Sequence, residues 1–484
     1  MNQSLFTDIH DAESFVYSKF GKGESFDVGV KHAHIWSIPS LLVYMNGLID
    51  SMMLTQILTL TQSTQAQVKR KADINEIEAM NSYFPYHSVT IYDSKDAWLS
   101  AVLSGQLGIV TSDGYVFTID VRSYPGRQPE EPDNEKVIRG SRDGFTENIL
   151  QNTALVRRRI RDVSLRFELT KISTRGQTDT VIAYVKGLAN EQHIEFLRKR
   201  MEKIHHDGLT MADKALEEWI FKQKFHPVPF VRYTERADIC AAHLLEGHIA
   251  IMVDTSPSVI LVPTTIFHHL QHAEEFRQAP LVGTFVRMMR LSGFFLSLLF
   301  LPFWYLLVKE SGHVPQFMTF IGPKEIGEVP IFLQIIFASL GLEFLRLAAI
   351  HTPTPLSTAM GLVAAIIIGQ IAIDVGLFIP EVVLYSAVAA ILTFSLPSYE
   401  LGVAIKIFMN MLLIATATFG TNGFFIGILL IFMYLVSIKP MGVPYLWPLV
   451  PFFPKALARI MIRFPSSNGA LRPFVTHSPN RKRS

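Results

Sequence analysis

Six apolar runs crowd the stretch from Leu291 to Ile438, whereas the residues before it mix charged, polar and apolar side chains as a water-soluble α/β protein does. The runs are Leu291–Val308, Ile331–Ile350, Met360–Ile379, Glu381–Leu396, Leu401–Phe419 and Phe424–Ile438. A membrane-crossing helix needs about 20 predominantly apolar residues, so four to six crossings are expected. The last two runs are short enough to tilt, re-enter, or pair as a hairpin around Gly420, Thr421, Asn422 and Gly423.

Charge orients this half. Arg277, Arg287 and Arg290 precede the first run, and after Ile438 the chain carries Lys439, Lys455, Arg459, Arg463, Arg472, Arg481, Lys482 and Arg483 with no acidic residue. The positive-inside rule puts both flanks in the cytoplasm, and an even number of crossings follows. If the set is odd, Ile331–Ile350 is the run expected to lie in the interface, because it carries Glu343 and Arg346.

Ionisable groups within apolar runs cost about 2.5–3.5 kcal/mol on insertion scales and usually face a bundle interior or a water path. Gln370 and Asp374 are the expected polar path. Glu343 and Arg346, three apart on one helix face, are the expected coupling pair, with Lys406 and Asn410 as further candidates. Gly361, Ala365 and Gly369 recur every four positions as a smooth stripe for close packing.

The first 290 residues hold 32 Lys/Arg against 35 Asp/Glu, so a nucleic-acid binder is not expected. Cys240 is alone, which excludes an intrachain disulfide. Met1–Glu13 has neither a basic flank nor an apolar run, so no cleavable leader is expected. No phosphate loop and no catalytic arrangement is legible, and the chain is expected to be neither an enzyme nor a holder of any cofactor. His268, His269 and His272 with Glu275 fall at helical spacing, but no further ligand is fixed by that spacing, so no metal is expected.

The soluble half repeats itself. Leu42 to Leu48 (LVYMNGL) matches Ile182 to Leu188 (IAYVKGL), and Leu103 to Val110 matches Leu245 to Met252, with Gly-to-Gly separations of 58 and 60. Two tandem related α/β modules are expected, residues 1–135 and 136–263, each a strand–helix unit closing on a hairpin. Tyr124–Asn134 is a Pro-rich loop by composition. A juxtamembrane coupling segment (264–290), an all-α polytopic transmembrane bundle (291–438) and a basic cytoplasmic tail (439–484) complete the expected order. Arg287 and Arg290 are the coupling residues at that boundary. The run Arg157, Arg158, Arg159 and Arg161 reads either as an anion or lipid-surface site or as a solvated, paired helix face.

Arg139, Gly140, Phe145 and Glu147 within Ile138–Asn148, followed by Asn152 and the arginine run, resemble the signature of spore germinant receptor A subunits. Glu235 and Asp238 in Thr234–Asp238, Asp254 and Pro257 in Val253–Pro257, and Gly369-Gln370 with Pro397–Glu400 continue it in order. Thr255 stands where such subunits usually have Gly, and the polar amino-terminal extension is shorter, which favours an accessory channel role over direct nutrient sensing. The resemblance implies a protein of the endospore inner membrane with its soluble domain in the spore core. It implies a homo-oligomer, pentameric in kind, that conducts monovalent cations and amplifies germination beside a small membrane partner and other germination receptor proteins. A nutrient-binding receptor subunit and a non-conducting scaffold are the alternatives.

Overall fold

The computed structural model describes residues 4–35, 38–63, 89–123, 135–310, 321–324, 327–351, 369–464, 472 and 474–480. The Tyr124–Asn134 loop, Gly361, Ala365 and Arg481–Arg483 lie outside them. The chain forms two compact units. One comprises Met1–Lys224, Val231–Thr264 and Ser466–Ser484, and the other Phe225–Phe230 and Thr265–Pro465.

Two five-stranded antiparallel sheets organise the first unit. The first is built from β1 (Val28–Ile35), β2 (Ile38–Met45), β3 (Val89–Ile91), β4 (Leu107–Thr111) and β5 (Val116–Ile119), the second from β6 (Leu165–Ile172), β7 (Thr178–Val185), β8 (Arg232–Thr234), β9 (Ile249–Val253) and β10 (Val259–Val262). Their strand orders are β1-β2-β4-β5-β3 and β6-β7-β9-β10-β8, the same topology twice. The repeat visible in the sequence lands on equivalent strands. Gly47 and Gly187 follow β2 and β7 at φ 80° and 82°, while Gly105 and Gly247 precede β4 and β9 at φ 97° and 93°. Each turn needs positive φ, which glycine adopts without a Cβ penalty, and this explains why these glycines are among the letters the two modules share.

Alternation along β2 serves two faces. Leu41, Val43 and Met45 pack with α1 (Ile9–Phe20) and with Trp98 and Val102 of α3 (Lys95–Leu103). Leu42 joins Ile109, Phe117 and Ile57 of α2 (Ser51–Ser63) on the opposite face. Successive strand side chains point to opposite faces, so an unbroken apolar run here means a sheet covered on both sides. In the second module the corresponding strand β7 is buried from Thr180 to Val185. The helices of that module are α4 (Ile149–Arg159), α5 (Glu191–Met201), α6 (Ala212–Phe221) and α7 (Ala237–Leu245).

The carboxyl-terminal residues are folded onto this unit rather than forming a free tail. Arg472 Nε donates to the Leu245 carbonyl at 2.9 Å, and Thr476 Oγ1 to the Glu246 carbonyl at 3.1 Å. Both satisfy carbonyls at the end of α7, where a cation also meets the negative end of the helix dipole.

The second unit is helical. It contains α8 (Ile266–Leu270), α9 (Ala273–Arg277), α10 (Pro280–Lys309), α11 (Ile331–His351), α12 (Pro380–Phe394), α13 (Tyr399–Ser437) and α14 (Pro454–Met461). Three of these, α10, α11 and α13, are long and apolar enough to cross a membrane. The helix α10 starts eleven residues ahead of the expected run, because Arg287 and Arg290 interrupt the apolar pattern but not the helix. Although continuous in hydrogen-bond pattern, α13 is a hairpin. Gly420 has φ 59° and ψ −137°, outside the helical region. The rings of Phe408 and Tyr434 are 5.8 Å apart, whereas 26 residues of straight helix would separate them by about 39 Å. The limbs, 399–419 and 421–437, therefore lie side by side, the hairpin among the three arrangements left open at Gly420–Gly423.

Candidate functional site

The motif residues of the soluble unit staple two distant stretches together. Phe145 N donates to Glu235 O at 2.7 Å, and Thr255 N to Glu147 O at 2.8 Å. Asn152 grips the loop before α4 through both amide atoms, accepting from Thr146 N at 2.8 Å and donating to Thr146 O at 2.6 Å. Asp254 accepts from Ile149 N at 3.2 Å, which places a carboxylate at the amino terminus of α4. Asp238 holds the buried Arg236 guanidinium at 3.1 and 3.0 Å, and Arg236 also donates to Ser141 O at 2.8 Å. Gly140 sits at φ 126° in the same loop. Arg139 is exposed, and Pro257 is half-buried in the turn before β10.

The arginine run is inward-facing at two positions. Arg157 Nε donates to Asp27 at 2.7 Å, with both side chains almost fully buried, and its remaining nitrogens reach Asp162 O and Leu165 O at 2.9 and 3.1 Å. Because Asp27 precedes β1 and Arg157 lies in the last turn of α4, this pair ties the first module to the second. Arg159 pairs with Asp143 at 2.6 Å and Ser141 at 2.8 Å. Pairing with acids holds for these two, but Arg157 is buried rather than solvated, and sequence spacing gave no sign of Asp27, 130 residues away.

His268 and His272 do not share a helix face, because the chain is extended at Gln271 and His272 between α8 and α9. His268 Nδ1 accepts from Thr265 N at 3.1 Å, and His272 Nδ1 from Glu274 N at 3.2 Å, so both rings cap helix starts.

Arg287 and Arg290, the expected coupling residues, converge on one acid. Glu275 of α9 is fully buried; it accepts from Arg287 Nε at 2.8 Å and from Arg290 Nη1. Arg287 Nη1 also donates to the carbonyls of Arg459 and Ile460 at 3.2 and 3.0 Å, fastening α10 to the end of α14.

Deeper in the bundle, Glu343 of α11 bridges two cations, Lys406 of α13 at 2.7 Å and Arg346 at 3.3 Å. The Arg346 guanidinium lies 4.3 Å from the centre of the Tyr399 ring, a cation–π contact. Glu343 and Arg346 are thus paired within the helical unit, and the length and hydropathy of α11 suffice for a crossing. Asn410, one turn beyond Lys406, has a buried Oδ1 with no hydrogen-bond partner among the described residues. Gln370 and Asp374 stand apart from this cluster. Both are exposed on the surface of the chain, joined to each other by Gln370 Nε2 donating to Asp374 Oδ1 at 3.2 Å. Asp374 lies in the last helical turn before Gly376.

The break in α13 carries charges that sequence reasoning passed over. Lys309 Nζ donates to Ala417 O at 2.7 Å and Thr416 O at 3.3 Å, at the end of the first limb. Glu310 accepts from Thr421 N at 3.0 Å and Thr421 Oγ1 at 2.5 Å, at the start of the second limb. A cation at the carboxyl end and an anion at the amino end suit both half-helix dipoles. The nearest signal was the Lys-Glu pair closing an apolar run, which reads as an ordinary flank.

Comparison with known proteins agrees with these motifs. A family model described as Bacillus/Clostridium GerA spore germination protein matches residues 15–475. The chain is 49% identical to Stage V sporulation protein AF of Bacillus subtilis (strain 168), over 97% of this chain and 95% of that one. It is 27% identical to Spore germination protein KA of the same organism (94% and 84% covered) and 28% identical to Spore germination protein XA of Bacillus anthracis (90% and 89% covered). Among solved structures, the amino-terminal domain of the A subunit of the Bacillus megaterium spore germinant receptor GerK3 is similar at 26% identity and TM-score 0.42, covering 54% of this chain and 97% of that one. The chain, a membrane protein, belongs to the GerA family of spore germination proteins.

Proposed function

We propose that this protein is the non-enzymatic subunit of an oligomeric channel for monovalent cations in the endospore inner membrane, amplifying germination once it has begun. In this reading the soluble unit and the carboxyl terminus face the spore core, in keeping with the basic flanks at Arg277–Arg290 and Lys439–Arg463. The pore is completed by other copies, a pentamer in kind, together with a small membrane partner and other germination receptor proteins.

The observation that carries it is the Gln370–Asp374 pair. An amide and a carboxylate exposed on the surface of a membrane protein, and hydrogen-bonded to each other, are costly against lipid and favourable against water or a second subunit. Ion release from liposomes containing the purified protein tests the reading. Potassium efflux is expected, with Asp374→Asn changing conductance or cation preference while leaving the assembled size unaltered. Absence of flux from the protein alone and with its partner would leave a scaffold or a nutrient receptor, and calorimetry with amino acids and sugars separates those two.

A further inference from the structure

We propose that the juxtamembrane end of the helical unit binds the headgroup phosphate of an anionic phospholipid, between Arg287 and Arg463 and against α14. The observation behind it is a charge imbalance in a dry place. Two guanidiniums, from Arg287 and Arg290, share the single carboxylate of Glu275, which is fully buried, and a third, from Arg463, reaches the backbone carbonyl of the next residue, Phe276. Arg463 reaches the same spot from beyond α14: its Nη2 donates to Phe276 O, its backbone N to Thr284 Oγ1 at 3.1 Å, and its Cδ lies 2.8 Å from where a Cβ on Gly283 would stand. The neighbouring acid, Glu274, is engaged by Gln278 of its own turn.

Two nitrogens are left over. Arg287 Nη2 and Arg463 Nη1 are both buried and have no hydrogen-bond acceptor among the described residues, and Arg287 as a whole is 4% exposed. An unpartnered buried N–H on a charged group is costly, so these atoms call for an anionic acceptor. A phosphate diester offers several oxygens to the planar forks of two arginines, the geometry guanidinium recognises best.

The surroundings point to lipid as the source. Arg287 and Arg290 directly precede the apolar length of α10, and on α14 the exposed Lys455 and Arg459 lie four apart on one face. Exposed Leu281, Phe285, Phe452, Ile462 and Phe464 flank them. Basic residues beside exposed aromatic and aliphatic side chains characterise helices lying in the headgroup plane of an anionic leaflet.

Thermal unfolding of the purified full chain in neutral detergent tests this independently of conduction, by titrating phosphatidylglycerol, phosphatidylcholine or inorganic phosphate. Phosphatidylglycerol alone should raise the unfolding temperature. Arg463→Gln should move its midpoint to roughly fivefold higher lipid, and Lys455→Gln/Arg459→Gln to more than that. Equal stabilisation by phosphatidylcholine overturns the proposal, and equal stabilisation by inorganic phosphate replaces the lipid with a free anion. An unchanged midpoint in Arg463→Gln overturns it as well; should that variant fail to fold, the exposed Lys455→Gln/Arg459→Gln pair decides in its place.

Discussion

Glu310 holds Thr421 across the break in α13, accepting from its amide at 3.0 Å and its hydroxyl at 2.5 Å. Lys309, its chain neighbour, satisfies the carbonyls of the preceding limb. The hairpin thus depends on two adjacent residues of another helix. Hydrogen bonds to a charged partner contribute about 1.5–3 kcal/mol, so Glu310→Ala should lower the stability of the purified protein by about 2 kcal/mol, and Thr421→Val by less. Thermal unfolding in detergent checks both, and equal melting of Glu310→Ala and wild type would remove the carboxylate from this role.

Asp27→Asn should be among the most damaging changes in the soluble unit. Arg157 is almost completely enclosed with Asp27 as its carboxylate partner, and leaving one member of a buried pair costs about 3–5 kcal/mol. Limited proteolysis of the full chain should show the two modules becoming separately susceptible. Replacing both residues, Asp27→Leu with Arg157→Met, should recover much of the loss, since the penalty arises from the orphaned charge. A double variant no better than the single one would point to the hydrogen bonds with Asp162 O and Leu165 O instead.

At Glu343 the prediction concerns pairing rather than conduction. Glu343→Gln leaves both Lys406 and Arg346 without their bridging carboxylate and should lower the yield of folded protein extracted from membranes. Lys406→Met in the same chain should restore part of it, because Arg346 keeps the Tyr399 ring. Additive losses in the double variant would show that the two side chains do not act as a pair.

Local rules carried the reading wherever the constraint was local. Glycine is forced by positive φ at 47, 105, 187 and 247, so the module repeat shows in the letters themselves. At Gly420–Gly423 the sequence left tilting, re-entry and a hairpin open, and the backbone at Gly420 selects the hairpin. The partners of polar residues were not. Asp27 and Arg157 are 130 residues apart, and Glu310 and Thr421 are 111 apart; neither spacing nor hydropathy encodes such contacts. Within the membrane half, helical spacing joined Glu343 to Arg346 and set Lys406 beside Asn410, but could not join one pair to the other. Folding joined the first three into one charge cluster, and set Gln370 and Asp374 on an outer surface.

Acid sensitivity should enter through His193 of α5. Burial, with the nearby His477 ring 5.9 Å away as a smaller contribution, pushes its pKa down to about 4 from the ordinary 6.5. Its Nδ1 is buried without a hydrogen-bond partner among the described residues. The unfolded chain binds that proton more readily than the folded one. The stabilisation is therefore complete above about pH 6.5 and is lost as pH falls towards 4, at no more than about 1.4 kcal/mol per pH unit. Since His477 belongs to the carboxyl-terminal segment that caps α7, release of that segment should accompany the loss. Melting the wild type and His193→Gln at a series of pH values checks the assignment. The difference in melting temperature should shift steadily between pH 6.5 and 4 and stay constant above it, and a difference independent of pH would exclude His193 as the source.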